Sequence, residues 1–383
     1  VTDVGAQKSR QHIRRARREN PEAIVAVTGC LVQTEAEKIK RETGADILVG
    51  NNHRSQITEL VEAAAKGKKA DAVDNILKVH EFEELGTVRS QSRVRANLKI
   101  EDGCNNFCTY CIIPYARGPV RSRAMDNIIK EAEALGRNGY GELVLTGIHI
   151  DSYGSDLNDG SSLADVIEKI HDIDGIRRIR LGSLEPVAVT PEFAERMKKL
   201  PKLCPQFHMS LQSGCGETLK RMNRHYTPEE YRRAAELLRE SLADTAITTD
   251  LMVGFPGETE SEFEESYNFC REIGFSQMHI FPYSVREGTA AVKFKNQIPE
   301  DIKHERVRIM LALADQMKKE FCGQYIGKTV SVLAEQKKKD GIHGTTANYM
   351  DVMIRDGSAE PGENVSVMLD GFENGCLTGK KLN

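Results

Sequence analysis

The sequence lacks several features that mark other classes of protein. No apolar run reaches the roughly 18 residues that a membrane-spanning helix needs, and the N-terminus lacks the charged-then-apolar layout of a signal peptide. Lys and Arg number 53 against 57 Asp and Glu, and the net charge of -4 does not by itself indicate nucleic-acid binding. The nine cysteines show no regular pairing, which is typical of a reducing compartment where thiols bind metals or pack. We therefore expect a cytoplasmic protein with no membrane partner.

Three of the cysteines stand close together and form the most informative pattern in the chain. Cys104, Cys108 and Cys111 have C-x3-C-x2-C spacing and follow the strand-like segment 96–100. A loop with this spacing can aim three thiolates at three irons of a cubane cluster and leave the fourth iron open. Electron-carrier clusters normally close all four sites with cysteine, so an open iron favours chemistry over electron relay. A zinc site and unrelated core cysteines are the alternatives, but structural zinc usually takes two cysteine pairs, and no second pair lies near.

A strand followed by a helix repeats six times between about residues 93 and 320. The predicted strands are 96–100, 142–146, 176–182, 206–211, 246–253 and 277–282, and the predicted helices are 126–138, 162–172, 191–199, 227–241, 260–273 and 299–321. Six such units predict an α/β fold built on a partial (β/α)6 barrel. Polar residues follow every strand, and in barrels of this kind function gathers where the strands end.

The two ends of the chain differ from this central repeat. Residues 1–88 alternate strand and helix patterns and indicate an incomplete α/β domain, whereas residues 89–322 form the predicted barrel. Residues 323–383 contain five short strand-like runs separated by turn residues, which predicts a small antiparallel β-barrel similar in class to oligonucleotide-binding barrels. We therefore predict three domains: 1–88, 89–322 and 323–383.

The motifs resemble those of a known family. The aromatic Tyr110 before the last cysteine completes the signature of radical S-adenosylmethionine (radical SAM) enzymes, and residues 101–119 (EDGCNNFCTYCIIPYARGP) resemble their methylthiotransferase branch. Residues 145–154 (LTGIHIDSYG) resemble the subgroup that acts on N6-threonylcarbamoyladenosine in transfer RNA. Residues 343–352 (HGTTANYMDV) resemble the TRAM domain, an RNA-binding appendage of RNA-modifying enzymes.

This resemblance implies a [4Fe-4S] cluster on Cys104, Cys108 and Cys111, with the open iron chelating the amino and carboxylate groups of SAM. The residues expected around SAM are Tyr110, Thr146, Gly147, Glu185 and Gln212. For Tyr110 the alternative is loop packing, and for Glu185 it is an ion pair at the barrel end. No catalytic acid, base or nucleophile is assigned. An electron donor of the flavodoxin or ferredoxin type is implied as a partner, and the sulfur donor is not indicated.

Cys30 stands apart from the other candidate ligands. It follows a predicted strand and precedes a predicted helix, a position that favours thiolate, although a lone cysteine usually packs. The methylthiotransferase family binds a second [4Fe-4S] cluster through three N-terminal cysteines, and Gly29-Cys30 resembles the last of them. The other two are absent, and Val1-Thr2 resembles the residues just after the second, so we expect a truncated chain with an incomplete set. Such a chain is predicted to cleave SAM yet fail to insert sulfur.

By the same resemblance, the chain is predicted to add a methylthio group to C2 of N6-threonylcarbamoyladenosine beside the anticodon. The residues expected to hold the anticodon arm of the tRNA are Arg117, Arg121, Arg123, Lys337, Lys338 and Lys339. One alternative is the same chemistry on isopentenyl-adenosine tRNA or on a ribosomal-protein aspartate. The other is a non-catalytic iron–sulfur RNA-binding protein, which the open coordination site argues against.

Overall fold

The computed structural model describes residues 3–68, 71–86, 94–355 and 359–382. The helices are α1 (Asp3–Glu19), α2 (Cys30–Thr43), α3 (Ile57–Ala65), α4 (Ile113–Arg117), α5 (Met125–Arg137), α6 (Leu163–His171), α7 (Pro191–Met197), α8 (Gly216–Arg221), α9 (Pro228–Ser241), α10 (Glu260–Ile273) and α11 (Glu300–Gly323). The strands are β1 (Ala26–Thr28), β2 (Ile47–Val49), β3 (Arg95–Lys99), β4 (Glu101–Asp102), β5 (Arg121–Ser122), β6 (Glu142–Thr146), β7 (Arg178–Leu181), β8 (Ser183–Leu184), β9 (Gln206–Met209), β10 (Ala246–Val253), β11 (Gln277–Pro282), β12 (Thr329–Lys338), β13 (Gly341–Thr346), β14 (Asp351–Ile354), β15 (Asn364–Glu373) and β16 (Cys376–Lys381). None of the helices in this described part of the chain is long and apolar enough to cross a bilayer.

The chain divides into two compact units whose segments alternate along the sequence. Unit 1 comprises residues 1–88, 101–122 and 284–294, and unit 2 comprises residues 89–100, 123–283 and 295–383. Unit 1 is therefore assembled from three separated stretches of chain, and the middle stretch carries the three clustered cysteines. The division of the sequence into three domains stays a prediction.

Unit 1 contains a small parallel sheet and the closure of the cysteine loop. β1 and β2 pair in parallel, with Ala26 opposite Ile47, and Ile39 of α2 is fully buried in the neighbouring core. β4 and β5 form a short antiparallel pair that sets Asp102 opposite Arg121. Because this pair joins the residues just before the cysteines to those just after them, it closes the base of the loop.

The predicted partial barrel forms within unit 2. One parallel sheet is ordered β3-β6-β7 and another β8-β9-β10-β11, and only Gly182 separates β7 from β8 along the chain. The strand order thus follows the sequence, as in a (β/α)6 barrel. Leu98, Leu145 and Ile179 are buried on one face of the first sheet and share a core with Ile167 of α6. The predicted fold class is confirmed, and β10, β11 and α10 begin and end at the predicted residues.

Strands β3, β6 and β7 carry mainly polar side chains at the alternating positions. Their register places these side chains in three rows: Arg95, Glu142 and Arg178; Asn97, Val144 and Arg180; Lys99 and Thr146. Successive rows are two residues apart, which is about 6.6 Å along a parallel strand. The last row lies at the carboxyl ends of the strands, where the sequence predicts function.

A closed five-stranded barrel ordered β12-β13-β14-β16-β15 forms the C-terminal part of unit 2. Val332, Ile342, Val352 and Val367 are fully buried and belong to its core. β12 and β13 form a hairpin whose pairing ends at Lys338 opposite Gly341. The small C-terminal barrel predicted from the sequence is therefore present.

Candidate functional site

Backbone contacts close the cysteine loop on itself in unit 1. Gly103 has a φ of 91°, and a Cβ at this position would lie 1.8 Å from the carbonyl oxygen of Pro119. Only glycine therefore fits this close approach. The N–H of Cys104 donates to the carbonyl of Gly118 at 3.1 Å. The start of the loop is thus tied to its end.

The three thiols of the loop form a donor set that fits an iron–sulfur cluster. Cys108 is buried, whereas Cys104 and Cys111 are half-buried. The N–H of Cys111 donates to the carbonyl of Cys108 at 2.9 Å, and the N–H of Ile113 donates to Cys111 Sγ at 3.4 Å. Cysteine thiolates in a fixed loop, with an amide hydrogen bond to sulfur, are what such clusters use. Tyr110 lies half-buried among them, and its contact with SAM stays a prediction.

The third segment of unit 1 supports the cysteine loop from a distant part of the sequence. The N–H of Ala291 donates to the carbonyl of Thr109, between two of the cysteines, at 2.8 Å. Arg286 of the same segment is buried and pairs with Glu35 of α2 at 2.6 Å. The loop therefore depends on residues far along the chain as well as on its own turn.

Asp102, which directly precedes the loop, gathers three guanidinium groups. Its Oδ2 lies 3.3 Å from Arg117 Nη1, 3.7 Å from Arg121 Nη2 and 3.9 Å from Arg54 Nη2. Burial alone would lower the pKa of Arg117, but Asp102 and Cys30 raise it above its ordinary value. For Arg121, burial lowers the pKa despite the nearby carboxylate. Sequence reasoning missed Asp102, although an acidic residue next to a cysteine loop rich in arginine was an available signal.

Cys30 is the first residue of α2 and is linked to the residues around the cysteine loop. Arg117 Nε donates to Cys30 Sγ at 3.1 Å. The amide nitrogen of Asn51 lies 3.7 Å from the same sulfur and donates to the carbonyl of Ala116 at 2.6 Å. Arg117 thus connects the Cys30 sulfur with the carboxylate of Asp102. The role of Cys30 as a ligand of a second cluster stays a prediction.

In unit 2, the residues expected to meet SAM lie at strand ends. Thr146 is the last residue of β6, Gly147 follows it, and Glu185 follows β8. The buried carboxylate of Glu185 lies 2.7 Å from Arg224 Nη2 and 3.6 Å from His149 Nε2. Glu185 therefore does form the ion pair that the sequence left open as its alternative role. Its contact with the SAM ribose stays a prediction.

His149 is half-buried at the same strand ends. Its Nε2 lies 3.3 Å from Asp151 Oδ2. Burial alone would lower the pKa of His149, but the hydrogen bonds that it donates to Asp151 and Glu185 raise it to about 10. One ligand atom each of His149, Asp151 and Glu185 lies within 4.8 Å of the others, yet a protonated imidazole has no lone pair for a metal ion. We therefore interpret this group, with Arg224, as an ion-pair network. Sequence reasoning missed Asp151 and Arg224.

Gln212 offers a buried acceptor just beyond β9. Its backbone has a φ of 63° and is fixed by hydrogen bonds of 2.9 Å to Asp250 and from Met252. The residue is 8% exposed, and its Oε1 accepts no hydrogen bond from the described residues. A buried acceptor of this kind suits a donor group of a bound ligand. The contact of Gln212 with SAM stays a prediction.

The residues predicted to bind RNA differ in their exposure to solvent. Residues 337–339 are exposed at the turn of the β12–β13 hairpin. The side chains of Arg121 and Arg123 are only 3% and 8% exposed, and Arg123 pairs with Glu131. Arg117 is 22% exposed but is engaged by Cys30 and Asp102. These three guanidinium groups make contacts within the protein, and their role in RNA binding stays a prediction.

Comparison with known proteins identifies the family. A model described as the Radical SAM superfamily matches residues 98–270, and one described as Uncharacterized protein family UPF0004 matches residues 1–50. The threonylcarbamoyladenosine tRNA methylthiotransferase MtaB of Bacillus subtilis is 41% identical over 96% of this chain and 83% of its own length. The chain belongs to the radical SAM tRNA methylthiotransferase family. A protein of the same name from Aquifex aeolicus is 38% identical, over 96% of this chain and 88% of its own length. A tRNA-2-methylthio-N(6)-dimethylallyladenosine synthase from Clostridium botulinum is 36% identical, over 95% and 82%.

Solved structures share the fold of this methylthiotransferase. The radical SAM methyltransferase TsrM from Kitasatospora setae, with cobalamin and a [4Fe-4S] cluster bound, aligns with a TM-score of 0.60 at 16% identity, covering 75% of this chain and 62% of that one. The same enzyme with tryptophan and a SAM analogue aligns with a TM-score of 0.56 at 17% identity, covering 72% and 58%. Radical SAM enzymes use a [4Fe-4S] cluster and SAM, and the donor set of the cysteine loop fits that cluster.

Proposed function

We propose that this methylthiotransferase adds a methylthio group to C2 of N6-threonylcarbamoyladenosine beside the anticodon of transfer RNA. The observation that carries the proposal is the 41% identity over 96% of the chain with the Bacillus subtilis enzyme, whose name states that substrate. The resemblance of residues 145–154 to the same subgroup supports it. The second candidate substrate is a dimethylallyladenosine tRNA, which the 36% identical relative supports.

The cysteine loop would hold the cluster through Cys104, Cys108 and Cys111. When bound, the cluster and SAM together supply the radical chemistry, and the protein supplies binding and orientation. Gly103 lets the loop close, and the N–H of Ile113 would stabilise negative charge on the sulfur of Cys111. These contacts are properties of the chain itself, so their loss would reduce cluster retention before it affected any later step.

Residues of unit 2 would hold SAM at the ends of the strands. The backbone after β6, at Thr146 and Gly147, would face the methionine part, and Gln212 would accept from a hydroxyl or amino group. Burial would raise the pKa of Glu185, but His149 and Arg224 hold it below its ordinary value. Glu185 is therefore ionised at neutral pH and able to accept a hydrogen bond from a ribose hydroxyl.

The proposal also covers the tRNA partner, the electron donor and the cellular compartment of the protein. The anticodon arm would meet the exposed lysines at residues 337–339, because single-stranded loop bases can be splayed out while basic side chains hold the phosphates. A flavodoxin- or ferredoxin-type protein would donate the electron. A cytoplasmic location is supported by the nine cysteines, whose positions in the sequence show no regular pairing.

Anaerobic assays of single cysteine variants test the proposal. We expect the wild type, reconstituted with iron and sulfide, to release 5′-deoxyadenosine, and to do so fastest with tRNA that carries threonylcarbamoyladenosine. Sulfur insertion is expected to fail, because this sequence holds only Cys30 of the three cysteines that the family uses for its second cluster. Cys108→Ala removes a cluster ligand and should abolish both iron binding and 5′-deoxyadenosine, whereas Cys376→Ala in β16 should retain both. Iron content, 5′-deoxyadenosine and modified nucleosides are measured by absorbance and mass spectrometry. Faster release of 5′-deoxyadenosine by the wild type with dimethylallyladenosine tRNA would contradict the proposed substrate.

A further inference from the structure

A polar cavity lies within unit 2, beside the rows of side chains on β3, β6 and β7. Its volume is about 520 Å³, within the range of roughly 300–1,000 Å³ that is typical of small-ligand sites. Its lining includes Asn97, Val144 and Arg180 of the middle row, Arg95 of the first row, and Tyr349 of the C-terminal barrel. Val144 is two residues before Thr146, so the cavity lies about 6.6 Å along the strand from the end where SAM is expected.

The side chains beside this cavity form an ion-paired group that contains more cations than anions. Glu142 is fully buried, and its carboxylate lies 2.9 Å from Arg180 Nε and 3.7 Å from both Arg95 and Arg178. Arg95 also pairs with Glu335. Three guanidinium groups thus share two carboxylates within this group. One positive charge is left over in this group. Arg95 and Arg180 both line the cavity. Arg180 also donates to Gln206 Oε1 and to the carbonyls of Thr346 and Ala347.

Tyr349 holds the two cavity guanidinium groups in place. Its ring centroid lies 4.7 Å from Arg180 Cζ and 5.6 Å from Arg95 Cζ. Tyr349 also has a φ of 67°, which is uncommon for a bulky residue. Strain of this kind clusters at sites where a side chain must be presented in one direction. The cavity is therefore organised around the arginines.

The two candidate substrates differ most at the N6 substituent of adenosine. A threonylcarbamoyl group ends in a carboxylate and a hydroxyl, and its carboxylate lies four bonds from N6, roughly 5–6 Å away when extended. A dimethylallyl group is wholly apolar. Burying it against guanidinium and amide groups would remove their water without replacing the hydrogen bonds, which is unfavourable. A carboxylate would instead accept charge-assisted hydrogen bonds from arginine.

We propose that Arg95 and Arg180 form the subsite that binds the carboxylate of the N6-threonylcarbamoyl group and so determine substrate choice. This inference rests on the proposed function, since it takes the modified adenosine as the ligand. An RNA phosphate offers the same anionic oxygens and is the other source that the test must separate.

Binding of two matched RNAs tests this subsite without requiring turnover. One anticodon stem-loop carries N6-threonylcarbamoyladenosine, and the other carries the corresponding threoninamide, which replaces the carboxylate by a neutral group of the same shape. We expect the reconstituted enzyme with SAM to bind the carboxylate RNA about tenfold or more tightly, as for hydrogen bonds to charged groups. Arg95→Gln should bring the two Kd values close together. Arg180→Lys keeps the buried charge but loses the planar fork, and should reduce the preference partly.

The control is Arg137→Gln on α5, which removes an exposed arginine that pairs with Glu133 of the same helix, and it should keep the wild-type preference. Equal binding of the two RNAs by the wild type overturns the subsite, and this arm does not depend on how well any variant folds. If Arg95→Gln weakens the binding of both RNAs equally, Arg95 contacts a phosphate, and this result also overturns the subsite. Absence of 5′-deoxyadenosine from the wild type with tRNA that carries threonylcarbamoyladenosine instead overturns the proposed function, whichever Kd ratio is found.

Discussion

At the scale of single residues, the strand ends of unit 2 are held by a histidine that carries a proton. His149 contacts Asp151 and Glu185, and these carboxylates raise its pKa to about 10. A group whose pKa is raised on folding stabilises the folded state fully below its unfolded pKa, near 6.5. That contribution is then lost as the pH rises toward 10.

His149→Gln should therefore remove a pH-dependent part of the stability. We expect the variant to lose about 1–3 kcal/mol of unfolding free energy at neutral pH, the range for hydrogen bonds to charged groups. The loss should shrink as the pH approaches 10, because the wild-type histidine is then losing its proton. Urea unfolding across this range measures it. His12→Gln, at an exposed position on α1, is the control. If the difference in unfolding free energy between wild type and His149→Gln stays constant with pH, His149 is not protonated.

Several site residues could be predicted from the sequence and several could not, and the difference lies in what a local pattern contains. The three clustered cysteines and the strand-end positions of Thr146 and Glu185 follow from short-range spacing. The partners of Glu185 could not be predicted, because Arg224 is distant in sequence and meets it only through the fold. The burial of Arg121 and Arg123 was missed for the same reason, because the sequence pattern of a basic segment is the same whether its side chains are exposed to water or paired with carboxylates.

At the scale of elements, the cysteine loop depends on one glycine. Gly103→Ala would place a methyl group against the carbonyl of Pro119 in a backbone conformation that alanine rarely adopts. We expect this variant to retain markedly less iron after anaerobic reconstitution, as measured by iron content and visible absorbance. Gly139→Ala is a matched control, because Gly139 has a similar φ of 88° but no atom within 4 Å of the added Cβ. Iron loss of equal size in both variants would attribute the effect to general destabilisation.

The helices and strands of the barrel were largely predictable because their signals are local. Thr227 and Glu230 form the capping box that begins α9, and the same pattern begins α6 and α10. The surroundings of the β7 arginines were harder to predict from the sequence. Arg178 and Arg180 alternate with buried Ile179 and Leu181. That alternation predicts a strand but does not indicate that its polar face borders a cavity.

At the scale of the whole molecule, the C-terminal barrel is the part predicted to bind RNA. Replacing Lys337, Lys338 and Lys339 together by glutamine should weaken tRNA binding and lower the slope of log K against log salt by up to about 2–3, since each phosphate contact contributes roughly 0.7–0.9. Binding titrations at several salt concentrations measure the slope. Lys198, Lys199 and Lys220 are exposed elsewhere in unit 2, and their triple glutamine variant removes the same charge. Equal slopes for the two triple variants would contradict a specific role for the hairpin.

The assembly of unit 1 from three stretches of chain has a consequence for biosynthesis. The cysteine loop is braced by the hydrogen bond from Ala291 to Thr109, so its final shape must wait until residue 291 has left the ribosome. At 5–20 residues per second, the stretch from Cys111 to Ala291 takes roughly ten to thirty seconds to translate. During that interval the three thiols are exposed and uncommitted. Iron delivery in the cell is therefore a late event, and a ribosome that stalls before this point leaves a nascent chain open to oxidation.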